Sequence, residues 1–461
     1  MRIEKEYKKT GYFWLAGSSE KKIPGTLTIA DGGKIDLEVL GNFETESNES
    51  LDDAVLGRVI GVVEDDGLIT LEDCFYKIKN MAFGGIATSK VHVNSAMSGA
   101  EWEKDEEVKF ESVSFSVDCL DEWVGISGIK VEHDWEARTA SINYSPIEKI
   151  SAQLDNGMTL EVCFGYTLPG SPAITEAKIT QNTYFKLRSE ELRDLEEFIT
   201  VIGQVMNLMC FAMDEVVTVK NISAKTPEIQ RSFQNGDSVQ VPISIYYESS
   251  FHPEKIPNKK WHDMLFSFGA IKSNFGEIVN NWLKAYDYMS PALSLYFSTK
   301  KGAQKYLDGK FLALAQGLET YHRRTSTETL MSAESFETLV AEVMENCPPD
   351  HAEWLKGRLT HGNEINLGKR LKRIVEPFKA HLGTSGERSK LLRSIVDTRN
   401  YLTHYSENLK DTAATGRELW RLCIKMEVIF NLHFLKVIGF TDEEIDAVVK
   451  NCYPLNRKIK E

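Results

Sequence analysis

Through roughly the first 185 residues, apolar and polar positions alternate with a period of two, broken by turn residues; this is the pattern of strands that bury one face. Residues 25–29 lead through Asp31-Gly32-Gly33 to residues 35–39, a hairpin signal, and residues 59–63, Asp65-Asp66-Gly67 and residues 68–71 repeat it. Residues 113–117 alternate cleanly, and Asp155-Asn156-Gly157 separates residues 150–154 from 158–166. Turns at this frequency predict a β-sandwich or an open barrel. The period then changes. Ser189 reads as an N-cap with Glu190 and Glu191 in the first turn, and Leu192, Leu195, Ile199, Ile202, Met206 and Met209 follow at helical spacing. This predicts a helix near 189–212 packed on the sheet. Residues 216–219 and 241–247 predict further strands, and Phe251-His252-Pro253-Glu254-Lys255-Ile256-Pro257 is a proline-marked connection.

From His262 onward the spacing is helical throughout, with predicted helices at 262–288, 291–299, 303–323, 334–346, 351–360, 364–381, 387–409, 414–437 and 441–452. Thr441-Asp442-Glu443-Glu444 has the form of a capping box before the last of these. The expected architecture is multidomain α+β: a β-rich domain over 1–255 with a helical insertion, then an all-α bundle within 256–461.

At 461 residues the chain has room for two or three domains, and 42% hydrophobic with 26% charged residues is the composition of an ordinary soluble globular protein. No apolar stretch reads as long enough to span a membrane, and the start Met1-Arg2-Ile3-Glu4-Lys5-Glu6 lacks the apolar core of a signal peptide. Seven scattered cysteines without a C-x-x-C pair predict reduced thiols and a cytoplasmic location. The net charge of −14 argues against broad nucleic-acid binding, but it is unevenly spread. Residues 1–150 hold 29 acidic and 16 basic residues, whereas residues 351–400 hold 11 basic and 5 acidic. Within that basic stretch Lys369, Arg370, Lys372 and Arg373 are candidate phosphate contacts, with a solvated helix face as the plainer reading.

The stretch ends in Val396-Asp397-Thr398-Arg399-Asn400-Tyr401-Leu402-Thr403-His404-Tyr405. Its residue types suit metal-free cleavage of RNA. Histidine moves a proton near neutral pH, arginine matches phosphate oxygens with a permanent charge, and asparagine holds an oxygen without changing charge. On a helix, Asn400 and His404 fall at about 100° and 140° from Arg399, while Leu391, Ile395 and Leu402 fall near 280–320°. His404 is therefore expected to face away from the apolar stripe. Asp397 shares its face and reads either as a group that orients a neighbour or as a plain surface acid, and Tyr401 and Tyr405 could stack on bases, with packing or interface roles as the plainer reading. Tyr321-His322-Arg323-Arg324 ends a predicted helix and reads as a cationic C-terminus, with a secondary RNA contact as the alternative. His351, Glu353, His361 and Glu364 match no tight metal-ligand spacing, so no metal site and no cofactor is expected. Trp14, Trp102, Trp123 and Trp135 could line a ligand groove in the β-rich domain, with core packing as the plainer reading.

Arg399-Asn400-x-x-x-His404 resembles the signature of HEPN domains, and residues 305–440 resemble the HEPN subgroup of the bacterial anti-phage defence family ApeA. Thr10-Gly11-Tyr12-Phe13-Trp14-Leu15, Pro24-Gly25-Thr26-Leu27 and Leu37-Glu38-Val39-Leu40-Gly41 resemble the β-rich domain that precedes HEPN in that family. The resemblance implies a metal-independent endoribonuclease toxin acting in abortive infection, with Arg399, Asn400 and His404 as its catalytic residues. It further implies tRNA as the target, a composite site in a homodimer or higher homo-oligomer, and an N-terminal domain that senses a phage-derived trigger or restrains the nuclease. A non-catalytic HEPN scaffold that binds RNA or protein is the alternative. A third reading makes the β-rich domain a carbohydrate- or peptide-binding module and the helices an assembly device.

Overall fold

In the computed structural model, residues 1–44, 54–80, 85–171, 173–233, 236–249 and 252–461 are described. Phe251 of the proline-marked connection lies outside them. The chain divides into two compact units, Met1–Asn280 and Asn281–Glu461.

The first unit is built on a six-stranded barrel: β1 (Tyr7–Leu15), β2 (Ile23–Ile29), β3 (Ile35–Leu40), β4 (Val55–Val63), β5 (Gly67–Ile78) and β6 (Thr88–Val93). The antiparallel order is β5-β4-β1-β2-β3-β6, and β6 pairs back onto β5. The turn spacing thus made a barrel, but a closed one, which leaves fewer free edges than the open form. Alternation sets the faces. Ile35, Leu37 and Val39 of β3 are buried, while Asp36 and Glu38 are not. Gly61 makes room for the inward Phe13 ring, because a Cβ there would lie 2.5 Å from it. The Asp31-Gly32-Gly33 turn holds both glycines at positive φ (97° and 83°).

From β5 the sheet continues through β7 (Ser95–Ser98), β17 (Ile243–Tyr247), β14 (Val219–Lys225), β8 (Lys109–Val117), β13 (Thr180–Asp194), β12 (Met158–Thr167) and β11 (Ile150–Gln153). Two small hairpins stand apart from it: β9 (Ile129–Asp134) with β10 (Thr139–Tyr144), and β15 (Gln230–Ser232) with β16 (Ser238–Gln240). Helix α1 (Leu120–Val124) is a single short turn, and α2 (Leu195–Met213) packs on β8 and β13.

Two expectations change here. Ser189 is not an N-cap: β13 runs on to Asp194, and a bulge between Arg188 and Arg193 lets Arg193 and Asp194 pair with Phe110 and Lys109. The Ser189 hydroxyl instead accepts from Arg193 Nε at 2.9 Å. Trp14, Trp102 and Trp123 are core residues, but Trp135 is 85% exposed at the β9–β10 turn. In addition, α2 is long and apolar enough to cross a membrane by length and composition. It buries Phe198, Ile202, Val205 and Leu208 as a core helix does.

The helical region comprises α3 (Phe268–Ile271), α4 (Phe275–Lys300), α5 (Leu307–Thr325), α6 (Ala333–Glu345), α7 (Pro349–Leu359), α8 (Leu367–Val375), α9 (Ser385–His404), α10 (Gly416–Ile438), α11 (Asp442–Asn451) and α12 (Tyr453–Lys460). The unit boundary falls within α4. The predicted break near 288–291 is a kink at Met289, just ahead of Pro291, whose ring and missing N–H disrupt the ladder.

In the second unit α10 is the central element, buried along most of its length. Trp282, Tyr296, Phe430 and Phe434 form an aromatic cluster with ring separations of 5.0–6.0 Å, and the Tyr296 hydroxyl donates to Asn431 Oδ1 at 2.7 Å. Gly317 lets α5 approach closely, since a Cβ there would sit 2.9 Å from Phe430. The Thr441–Glu444 capping box is present, and Pro454 near the start of α12 begins a helix that the spacing did not predict.

Candidate active site

Helix α9 starts at a capping box. Thr384 Oγ1 accepts from Glu387 N at 3.3 Å, and Glu387 Oε2 accepts from Thr384 N at 2.7 Å. The helix ends at His404, because Tyr405 turns left-handed (φ 50°) and its N–H closes on Tyr401 O at 2.6 Å. Residues 405–409, predicted as helix, are therefore a turn and a short 3₁₀ segment over Glu407–Leu409. Ile395 and Thr398 are buried on the inner face, and the Thr398 hydroxyl accepts from Ala414 N at 2.9 Å. This bond ties the loop beyond the helix to the last two turns of α9.

On the outer side, Arg399 and Asn400 are half-buried and His404 is exposed, as the helical angles predict. Arg399 Nη1 donates to Asn400 Oδ1 at 3.3 Å. Arg399 Nη2 lies 3.8 Å from Glu319 Oε2 on α5. One turn separates Asn400 from His404, so the motif offers a proton-transfer group, an amide and a guanidinium along one flank of one helix. The rings of Tyr401 and Tyr405 meet edge to face at 5.6 Å, which makes them neighbours of each other at the helix end.

Behind the motif runs a charged network that links α5, α8 and the loop between α7 and α8. Glu319 accepts from Arg323, Arg323 bonds Glu364, and Glu364 accepts from Arg370 Nη2 at 3.2 Å and meets His361 Nδ1 at 2.9 Å. Arg370 Nη1 in turn lies 3.3 Å from Nδ1 of the buried His322. The Arg323 bond holds the Glu364 carboxyl below the usual carboxylate range, and burial followed by the Arg370 charge pushes the His322 imidazole down from its ordinary value. With two arginines and His361 around it, Glu364 is an anion already matched. Among the described residues no group of three or more His, Cys, Asp or Glu could hold a metal ion.

Residues 8–282 match ApeA N-terminal domain 1, and residues 312–444 match Apea-like HEPN. The chain belongs to the ApeA family. It is accordingly an anti-phage defence HEPN protein, of a domain class whose members are generally ribonucleases. No curated protein and no solved structure matches it. The Apea-like HEPN match covers α6 to α10 whole, most of α5 and the start of α11, and so includes the Arg399–His404 motif and the network behind it.

Within this HEPN region the four basic candidates divide. Arg370, a candidate phosphate contact from the sequence, is buried in the network, and Arg373, another, is held by Glu328 at 2.7–3.0 Å through Nε and Nη2. Lys369 and Lys372 are exposed. Two further cations lie nearer the motif. Lys390 and Arg393 are exposed on α9 and fall at about 180° and 120° from Arg399, on the flank that carries Asn400 and His404. Half-buried Asp397 lies among them. The helical angles alone could have found both.

Proposed function

We propose that the chain is a metal-independent endoribonuclease that cleaves RNA by attack of a ribose 2′-hydroxyl on the adjacent phosphorus. The observation that carries this reading is the α9 motif: Arg399 in contact with Asn400, with His404 exposed one turn further on the same helix. In the reaction the 2′-oxygen–phosphorus bond forms and the phosphorus–5′-oxygen bond breaks. The 2′-hydroxyl loses its proton and the leaving 5′-oxygen gains one, which gives a 2′,3′-cyclic phosphate and a 5′-hydroxyl. His404 serves proton transfer, Arg399 stabilises charge on the phosphoryl oxygens, and Asn400 orients the reacting group. A single chain supplies one such histidine for two proton transfers. A homodimer that brings two α9 helices together would duplicate the set by symmetry, and this is the assembly we propose.

Family membership supports transfer RNA as the substrate and the N-terminal domain as the part that senses a phage-derived trigger and restrains the nuclease. The deciding experiment is cleavage of RNA by the purified full-length protein in excess chelator, with light scattering on the same samples. Chelator is expected to leave the rate unchanged, activity is expected to follow the dimer fraction, and a single 2′-deoxyribose at the cut site is expected to block cleavage there. Cleavage that needs added metal, or that persists at the deoxy position, excludes this mechanism.

RNA contact is expected to run along α9. With protein inactivated as His404→Ala, the Lys390→Ala/Arg393→Ala pair should weaken binding to single-stranded RNA and flatten its log–log salt dependence by about 1.4. The Lys369→Ala/Lys372→Ala pair tests the two exposed lysines of α8 in the same titration. An unaltered slope for the α9 pair means that these side chains belong to a solvated face.

A further inference from the structure

We infer that Glu319 is a positioning residue that aims the Arg399 guanidinium, an inference that rests on the ribonuclease reading above. Glu319 lies on α5, outside the motif, and only 18% of its side chain is exposed. Its two oxygens are divided between two arginines. Oε1 accepts from Arg323 Nη2 at 3.1 Å and Nε at 3.3 Å, while Oε2 lies 3.8 Å from Arg399 Nη2. Arg323 is anchored in turn by Glu364, which also holds Arg370. The carboxylate is therefore fixed from behind, with its second oxygen presented to Arg399. On the other side Arg399 Nη1 donates to Asn400 Oδ1. The guanidinium lies between two acceptors on two packed helices, one of them outside its own.

This arrangement suits positioning better than quenching. A separation of 3.8 Å is an ion pair and not a hydrogen bond, so it sets direction without consuming an N–H of the fork. The charge of Glu319 is matched by Arg323. Across the network three guanidinium groups (Arg399, Arg323, Arg370) stand against two carboxylates (Glu319, Glu364), which leaves net positive charge for a phosphate. Arg399 is also on a long, rotamer-rich stem, 35% exposed, and would otherwise sample many orientations. Catalytic groups must be held within about 0.5 Å of the productive geometry, and a neighbour that restricts such a stem contributes to the rate without touching the substrate.

The test is steady-state cleavage by the full-length protein carrying Glu319→Gln, a substitution that keeps shape and removes charge. We expect kcat to fall by about 10- to 100-fold with KM changed by less than about three-fold, the signature of a lost transition-state interaction. Glu319→Asp, shorter but charged, should fall between wild type and Glu319→Gln. In an Arg399→Lys background Glu319→Gln should alter kcat by less than about two-fold, because the ammonium keeps the charge but lacks the planar fork that the carboxylate orients. Equal losses in both backgrounds would show a purely structural role, and a faster Glu319→Gln enzyme would show a restraining clamp; either overturns the inference. An active wild type with an unaffected Glu319→Gln variant defeats this inference alone. A wild type that does not cleave RNA defeats the ribonuclease reading, and this inference with it.

Discussion

If the chain cleaves RNA as proposed, His404→Ala and Arg399→Ala are each expected to remove detectable cleavage and any growth arrest on expression, with the fold intact. A positioned proton-transfer group contributes about 10²–10⁴-fold, and an arginine on a transferring phosphoryl group about 10³–10⁵-fold where that has been measured. Stability should barely change. His404 is exposed at the end of α9, and Arg399 sits on the outer side with an ion pair long enough to contribute little. The inner face of α9, where Ile395 and Thr398 are buried, is untouched by either change. Asn400→Ala should be milder, since Asn400 orients and transfers no proton. The measurement is a time course with purified variants, alongside circular dichroism and light scattering. Full cleavage by His404→Ala protein free of contaminating nuclease would refute the catalytic assignment and leave a binding scaffold as the reading of the motif.

How far the sequence carries depends on whether the deciding contact is local. The barrel strands were legible because alternation is local: Ile35, Leu37 and Val39 announce their buried face without reference to any other strand. The Thr441 capping box and the outward placement of His404 follow equally from spacing within one helix. The failures are long-range. Ser189-Glu190-Glu191 has every local mark of a helix start, but pairing of Arg193 and Asp194 with β8 keeps the chain extended for five more residues beyond Ser189. Closure of the barrel depends on β6 returning to β5, which no turn signal encodes. The same distinction divides the site. The Arg399–His404 spacing can be read from one helix, whereas the role of Glu319 depends on α5 meeting α9. Arg370 and Arg373 looked like free phosphate contacts only because Glu364, His322 and Glu328 are brought to them by folding.

Between pH 6.5 and pH 4, His433 alone is expected to make the helical unit less stable by about 3 kcal/mol, from a shift of about two and a half pH units at 1.36 kcal/mol each. His433 is buried on α10 between the rings of Tyr321 and Phe378, at 4.7 and 4.8 Å, and its Nε2 donates to Ile374 O at 2.8 Å. Burial is the main cause that pushes its pKa down to about 4, and the nearby Lys436 charge acts in the same direction. The sign follows from which state binds the proton. Above pH 6.5 the imidazole is neutral in both states and contributes no pH dependence. As pH falls below 6.5 the unfolded chain takes up a proton that the folded chain refuses, so stability drops. The loss is complete once pH passes below about 4 and the folded imidazole is also protonated. His322, also pushed down, adds in the same direction, so the comparison must isolate one residue. Hydrogen exchange of the α10 amides should show protection declining across this window in wild type and declining less, by roughly 300-fold in equilibrium terms, in His433→Gln. Glutamine can still donate to the Ile374 carbonyl but cannot titrate, so its packing cost lowers stability at every pH and leaves the slope as the diagnostic. Identical slopes in the two proteins would mean that the folded chain takes up the His433 proton as readily as the unfolded chain does, so that burial does not depress its pKa.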